Sequence, residues 1–489
     1  LYSAVSTPAC GDGVTTPAGF TDPPGPCEIY GVIPNLRTPY VTQWSLDLQQ
    51  ALTNNLTLDL VYVGNHGTRL LGKIDNNQAL PGTGWNTPFT SAQAVAAGLD
   101  PADGGLTAGQ VCAGLGVEAF ASACAPNAVG EQAALPFTAP CAAALGLGPN
   151  GSGGPFNPGN KCFSYLSYIT VVNNAYESNY NGMQATLTGR NYHGFSFTAG
   201  YTYSHALGDA SGQGTGGNFN PPINSYGSVR SQLYSNTDFD IRHRFTLSLN
   251  YALPGKKGFG QMLEGWGINS IVLINSGLPW GLADVSDDFS GTNEIANSTQ
   301  ALGEQWNFYG NPKDFTPVHG WTDTNGGILS GGTGGVPFFS GGGTVAAPTS
   351  NATCNAKAAA IGPLATASLF NLGCYAVGNT VLIPAAYGSY GSTPQNFLRD
   401  AGFRDWDFSV TKQFKFKERF TAEFRAEFFN VLNHPIFANP SGGPGGGIMD
   451  PSGGAGYGLV PLTPDTYSSN PQLGSGGPRA VQLGLKLGF

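Results

Sequence analysis

Charged side chains at every second position are the residues of this sequence best placed to do chemistry. They fall in three short runs, and in each run the alternation places acids and bases on one face of an extended chain. Such a face could form ion pairs across a sheet or contact a polar cargo molecule. We expect ion pairs between neighbouring strands that brace the structure. The residues are Asp240, Arg242, Arg244, Asp405, Asp407, Glu423, Arg425 and Glu427.

Sequence patterns of known catalytic sites are missing. There is no G-x-S-x-G, H-E-x-x-H or phosphate-binding loop. The acidic residues in 284–288 could offer oxygen ligands to calcium, but we favour an acidic loop without a metal. The six histidines are scattered, and none pairs at the spacing of a helical metal site: His66, His193, His205, His243, His319 and His434. We therefore expect no enzyme, no cofactor and no metal site.

The elements that must position the charged residues are β-strands. In 420–428, for example, apolar residues alternate with Thr421, Glu423, Arg425 and Glu427, which is typical of a strand with one polar face. About nine such segments occur between 39 and 489. Residues 1–38 read as a loop with at most one short strand. The connections near 54, 192, 258 and 416 are short, and those spanning 66–176, 208–237, 278–399 and 433–478 are long.

The clearest predicted strand covers 239–251, and the last eleven residues also alternate. Polar or glycine residues fill the gaps between five apolar ones: Val481, Leu483, Leu485, Leu487 and Phe489. A strand of this length can cross a bilayer at the usual tilt of a barrel strand.

Composition supports a membrane barrel. The chain has 489 residues, with 73 glycines, 35 prolines and only 10% charged residues, which suits long loops between strands. The net charge of −9 argues against a nucleic-acid surface. A soluble β-sandwich is the alternative, but aromatics near predicted strand ends suggest interface girdles: Trp44, Tyr62, Tyr203, Tyr251, Trp266, Trp280 and Trp406. We expect an antiparallel transmembrane β-barrel with long extracellular loops and short periplasmic turns.

All eight cysteines fall in predicted loops, and none has C-x-x-C spacing. An even number confined to loops indicates disulfides formed in an oxidising compartment. Many pairings are possible. The simplest joins sequence neighbours: Cys10–Cys27, Cys112–Cys124, Cys141–Cys162 and Cys354–Cys374.

Several motifs resemble the carboxyl-terminal barrel of Oar-like TonB-dependent receptors, which are outer-membrane proteins abundant in acidobacteria. The motifs lie in the predicted strands and turns from about 38 to 489. They are Thr-Pro-Tyr-Val-Thr-Gln-Trp-Ser-Leu at 38–46, Tyr-Val-Gly-Asn-His-Gly-Thr-Arg-Leu at 62–70, Tyr-Asn-Gly-Met-Gln at 180–184, Tyr-Thr-Tyr-Ser-His at 201–205, Asp-Ile-Arg-His-Arg-Phe at 240–245, Ser-Gly-Leu-Pro at 276–279 and Glu-Phe-Phe-Asn-Val-Leu-Asn-His at 427–434.

The resemblance implies a bacterial outer-membrane protein that takes up a bulky nutrient such as a siderophore, glycan or peptide. In that family the barrel has about 22 strands and contacts the TonB complex through an upstream plug. Nothing in this sequence resembles the plug, so we interpret the chain as the carboxyl-terminal part of such a barrel. The resemblance also implies that the terminal strand is read by the barrel-assembly machinery and that apolar faces meet lipid. A surface adhesin or structural protein that acts through disulfide-tied loops is the competing function.

Overall fold

The structure of the chain is a computed structural model. It describes residues 27–76, 166–209, 228–256, 258–282, 304–314, 351–399, 402–416, 420–436 and 476–489, with short pieces within 81–110 and at 284, 289–290, 343–345 and 448–449. The described strands are β1 (Cys27–Val32), β2 (Tyr40–Thr53), β3 (Leu56–Asp75), β4 (Leu166–Tyr192), β5 (Phe195–Gly208), β6 (Ser235–Asn236), β7 (His243–Ala252), β8 (Trp266–Asn275), β9 (Pro279–Leu282), β10 (Asn307–Tyr309), β11 (Gly343–Val345), β12 (Cys374–Val377), β13 (Thr380–Ile383), β14 (Leu398–Arg399), β15 (Phe403–Phe416), β16 (Phe420–Phe429), β17 (Ile448–Met449) and β18 (Ala480–Gly488). The described α-helices are α1 (Val229–Leu233), α2 (Ala352–Ile361) and α3 (Pro363–Leu372).

Nine strands form the wall, a sheet in which each strand is antiparallel to its neighbours. Their order is β18-β16-β15-β8-β7-β5-β4-β3-β2. The sequence pattern therefore locates these strands, including β8, where the alternation is blurred. Among the described residues, β2 and β18 each have a single neighbour in the wall, so the sheet ends at two edges.

The strand register aligns the apolar positions into rows. Leu46 lies opposite Tyr62, Tyr62 opposite Met183, and Met183 opposite Tyr203. All four side chains are exposed. We call the side of the wall that carries this row the apolar face and the other side the polar face. Because successive residues of a strand point to opposite sides, the alternation in the sequence becomes a difference between the two faces of the whole sheet.

Short turns join the wall strands at one end. The turn between β4 and β5 contains His193 (φ 51°) and Gly194 (φ 87°), a left-handed conformation that histidine tolerates better than most residues and that glycine adopts freely. The other short connections join β2 to β3, β7 to β8 and β15 to β16. The long connections all leave from the opposite end, as the sequence pattern predicts.

The first long connection is shorter than predicted. A loop was expected over 66–176, but β3 continues to Asp75 and β4 begins at Leu166, where β1 pairs with it in parallel. The 27 residues of β4 span about 90 Å at ~3.3 Å per residue, which is far more than the ~30 Å hydrocarbon core of a bilayer. Gly72 lets the buried Tyr176 ring lie directly on the neighbouring strand, since a Cβ there would come within 2.0 Å of the ring. In the membrane barrel that the sequence predicts, β3 and β4 therefore extend beyond the bilayer.

The third long connection, which the sequence predicts as a long loop over 278–399, contains a folded unit. Its strands pair in the order β10-β13-β12-β11, and α2 and α3 pack beside them. Asn351 caps α2, where its Oδ1 accepts the N–H groups of Thr353 and Cys354 at 3.0 Å each. The buried core of this unit includes Ala358 and Leu369. In the part of the chain that is described, no helix has the length and apolarity needed to span a membrane.

Candidate functional site in the loop layer and on the polar face

Arg425 forms ion pairs along its own strand. Its guanidinium lies 3.0 Å from the carboxylate of Glu423 and 3.5 Å from that of Glu427, and all three residues belong to β16. We expected acids and bases to pair between neighbouring strands. Positions two apart on one strand share a face, so Arg425 instead contacts the two acids on either side of it in sequence.

The other charged residues predicted for β7 and β15 do not contact Arg425. Arg244 lies opposite Thr202 on one side and Asn275 on the other. The carboxylate of Asp407 accepts the backbone N–H of Asn430 at 3.0 Å. Among the described residues, neither Arg244 nor the aspartates 405 and 407 form an ion pair.

Asp240 lies in the turn before β7, which corrects the prediction that a strand extends through 239–251. Only 1% of the residue is exposed. Its carboxylate accepts the N–H of Ala206 at 2.7 Å and Nε of Arg242 at 2.7 Å, and it pairs with the guanidinium of Arg399. Arg399 also donates to the carbonyl oxygens of Asp240 and Gly277. One buried carboxylate thus joins β5, the residues just before β7 and the end of the third long connection.

Burial by itself raises the pKa of the Asp240 carboxyl. The hydrogen bond from Ala206 and the guanidinium groups of Arg242 and Arg399 outweigh burial and hold this pKa below its usual value. Asp240 is therefore ionised at neutral pH. Its contribution to stability is present above the usual carboxyl pKa and is lost as the pH falls through the lowered one.

Amide side chains extend this polar cluster. Asn236 donates to the carbonyl oxygen of Asn396, and Asn396 donates in return to the carbonyl oxygen of Asn236, each at 3.0 Å. Asn396 also donates to the buried carboxylate of Asp238 at 2.6 Å. His205 lies 2.6 Å from a guanidinium nitrogen of Arg242. The second and third long connections are therefore fixed to each other beside the end of β5. We call the described residues of the long connections at this end of the wall the loop layer.

The first and third long connections also touch within the loop layer. Trp85 stacks on Tyr387 with 4.3 Å between ring centroids, and Phe289 lies on the same tyrosine. The N–H of Gly82 donates to the carbonyl oxygen of Ser290 at 2.6 Å. Because these aromatic rings are buried, the connections form a packed layer with its own core.

Asp209 follows β5 and anchors the start of the second long connection. Its Oδ1 accepts the backbone N–H of Glu177 at 2.6 Å. Burial raises the pKa of the Asp209 carboxyl to about 7. Glu177 itself forms an ion pair with Arg230 of α1, and the buried Leu233 of that helix packs on Tyr176.

Cys354 and Cys374 form a disulfide, which is one of the predicted pairings, and the bond joins the start of α2 to β12. Cys27 is also disulfide-bonded. The other predicted disulfide residues lie outside the described part of the chain: Cys10, Cys112, Cys124, Cys141 and Cys162.

Two further residues named from the sequence, Trp280 and Asp284, lie in the loop layer. Trp280 is fully buried, so it belongs to the core of the loop layer and not to an interface girdle. The carboxylate of Asp284 accepts the indole N–H of Trp306 at 2.9 Å, which gives this acid a structural role. Sequence reasoning also missed Asn396 and Arg399, because they follow a stretch without periodicity. The one available signal was an arginine six residues before the next predicted strand, which begins at Asp405.

The terminal strand pairs with β16, where Leu483 lies opposite Ala426 and Leu485 opposite Phe424. Its alternate apolar residues are all more than half exposed: Val481, Leu483, Leu485, Leu487 and Phe489. Since the wall buries none of these side chains, the apolar face needs a nonpolar environment outside the protein.

The family model described as an outer membrane beta-barrel domain matches residues 2–455. The chain belongs to this family. It is an antiparallel transmembrane β-barrel domain of the bacterial outer membrane. Its long connections and short turns lie at opposite ends of the wall, which in barrels of this kind are the extracellular and the periplasmic end. The polar face of the wall is therefore the barrel interior, and the apolar face is the outside.

Solved structures similar to this barrel domain are outer-membrane transporters and receptors. The transporter YddB from Escherichia coli has 10% identity and a TM-score of 0.34, covering 93% of this chain and 33% of its own. The ferripyoverdine receptor of Pseudomonas aeruginosa has 9% identity and a TM-score of 0.29, covering 93% and 28%. The ferric citrate transporter FecA has 9% identity and a TM-score of 0.29, covering 92% and 30%. The chain thus spans about a third of the length of these proteins. No curated protein matches it.

Proposed function

We propose that the protein containing this barrel domain is an outer-membrane receptor that takes up a bulky nutrient of the siderophore, glycan or peptide class. In this proposal it is a TonB-dependent receptor of the Oar-like type. An upstream plug contacts the TonB complex, and the protein has no catalytic activity. The sequence motifs of the strands and turns support the Oar-like assignment.

The fixed geometry of the loop layer is the observation that carries this proposal. Loops held by a rigid scaffold are common sites of binding. Here the buried Asp240 and the stacked Trp85 and Tyr387 hold three long connections together. A surface that is ordered before cargo arrives loses less conformational entropy on binding. The loop layer therefore suits capture of a large molecule at the barrel mouth.

The charges of the polar face fit a bracing role in the interior. Glu423 and Glu427 already engage Arg425, so this arginine has little free charge to offer cargo. We propose that these residues keep the interior wall polar and ordered. The cargo contacts are then made by the loop layer.

The partners follow from the same proposal. The exposed apolar face contacts outer-membrane lipid. The terminal strand, with Phe489 at its end, is recognised by the barrel-assembly machinery. The net charge of −9 supports the expectation that nucleic acid is not a partner.

Growth and uptake measurements test the proposal. In one variant of the full-length protein, residues 307–395 are replaced by a short Gly-Ser linker, which leaves β9 and β14 in place. We expect growth on the cognate nutrient to be lost in this variant, in the gene deletion and in cells without a working TonB complex. Arg425→Gln is the matched control and should keep uptake. Normal growth of the deletion strain on every siderophore, glycan and peptide source tested, together with lost surface attachment, would instead identify an adhesin.

A further inference from the structure

We propose that the outside of the barrel carries a binding site for the phosphate of an outer-leaflet lipid. The site is a cavity of about 480 Å³ between β8, β15 and the residues that follow β16. It depends on the outer-membrane location of the domain and is independent of the proposed transport function.

The cavity opens on the apolar face near the extracellular end of the wall. Trp406 lies opposite Val272, and Arg404 lies opposite Ile274, so these four side chains share one face. Leu432 covers the cavity from the loop after β16. The complete lining is Val272, Ile274, Arg404, Asp405, Trp406, Asn430, Leu432 and His434. An apolar floor next to the Arg404 guanidinium matches an acyl chain joined to an anionic headgroup.

The walls of the cavity are fixed by hydrogen bonds. The indole N–H of Trp406 donates to the hydroxyl of Ser270 at 2.9 Å. The buried side chain of Asn430 donates to the carbonyl oxygen of Gly477 at 2.8 Å and accepts the backbone N–H of His434 at 3.0 Å. These contacts hold the loop after β16 against the wall, so the cavity exists before any lipid binds.

Arg404 supplies the charge that a phosphate would neutralise. It is exposed, and among the described residues it forms no ion pair. The adjacent Asp405 points to the opposite face, because successive side chains of a strand alternate. An arginine on the lipid-facing side of a barrel is costly near the middle of the membrane and tolerable near its surface, where it can reach a headgroup. A guanidinium also matches phosphate oxygens with two parallel hydrogen bonds.

Lys412, on the same strand, is a cation that has partners within the protein. It lies on the same face as Arg404, eight residues further along β15 and therefore near the periplasmic end. Its ammonium donates to the carbonyl oxygens of Gln261 and Glu264 and lies 5.4 Å from the ring centroid of Trp266. Only 6% of Lys412 is exposed. Since Arg404 has no such partners in the part of the chain that the structure describes, an external anion is the natural counterpart.

Native mass spectrometry of the full-length protein in a neutral maltoside detergent tests the site. The probe is lipid A, a diphosphorylated acylated disaccharide, and the comparison lipid is the same molecule without its phosphates. We expect the wild-type protein to retain at least tenfold more of the phosphorylated lipid. Arg404→Gln should remove that difference. Arg69→Gln is the matched control and should preserve it, because Arg69 is far from the cavity and lies over the Tyr40 ring.

Three outcomes would overturn the proposal. The first is equal retention of the two lipids by the wild-type protein, a measurement that needs no variant. The second is equal loss of lipid A in the Arg404 and Arg69 variants, which would indicate general surface charge. The third is displacement of lipid A by inorganic phosphate at the same concentration, which would indicate a small-anion site. Heat-modifiable migration on a gel confirms that each variant is folded.

Discussion

Replacing Asp240 with alanine should loosen the loop layer while leaving the barrel wall intact. The substitution removes the carboxylate that accepts hydrogen bonds from Ala206, Arg242 and Arg399. It leaves two guanidinium groups and one backbone N–H without this partner. The three groups come from different segments of the chain, so their common attachment point is lost at once.

The expected effect follows from burial. Removing one partner of a fully buried ion pair costs about 3–5 kcal/mol. Here the carboxylate is buried, but the side chains of Arg242 and Arg399 are 29% and 28% exposed, so water can partly solvate them after the change. We therefore expect a loss of about 3 kcal/mol in the free energy of local opening. At about 1.4 kcal/mol per tenfold, this is roughly a hundredfold increase in the open population.

Hydrogen–deuterium exchange with mass spectrometry measures this opening directly. Peptides covering 234–242 and 396–399 should exchange about a hundredfold faster in Asp240→Ala, whereas peptides of β16 should not change. Glu427→Gln is the matched control, because its ion pair with Arg425 is exposed and worth less than about 1 kcal/mol. An Asp240 variant that is folded by heat-modifiable migration and exchanges within threefold of wild type in both segments would refute the reasoning.

Three further predictions concern pH, the disulfide and the interior charges. The pKa of Asp209 is raised from 3.8 to about 7, so the neutral carboxyl that stabilises the fold is lost as the pH rises through 7. Proteinase K should therefore cut near the end of β5 faster at pH 8 than at pH 5.5. The substitution Asp209→Asn should abolish this difference. Replacing Cys354 and Cys374 with serine removes a cross-link between residues 20 apart in sequence. The free energy of unfolding of the folded unit should fall by about 3 kcal/mol, which is measured as faster proteolysis of 351–383. An unchanged rate of proteolysis would contradict this. Arg425→Glu should lower the free energy of unfolding by about 1–2 kcal/mol in urea titrations, with cargo choice unchanged; a changed cargo profile at unchanged stability would disprove the bracing role.

Much of the wall could be predicted from sequence because its two faces differ. In β16, Phe424 and Ala426 alternate with Glu423 and Arg425, and the same period marks the other predicted wall strands except β8, where it is blurred. The pattern also places short turns at one end and long connections at the other. It predicts that the apolar side chains of β18 are exposed on one face, since lipid-facing and interior residues must alternate.

The sequence by itself determined which residues share a face and where the wall strands run. That information is local, because the strand period is set by two neighbouring residues. The tertiary structure decided the rest. Asp240 lies two residues from Arg242 but 159 residues from Arg399, and no local period reports that second contact. Trp280 likewise changes from a predicted girdle residue to a core residue because connections far apart in sequence pack around it. The loop layer forms by packing between connections that are distant in sequence, and local alternation does not encode that packing.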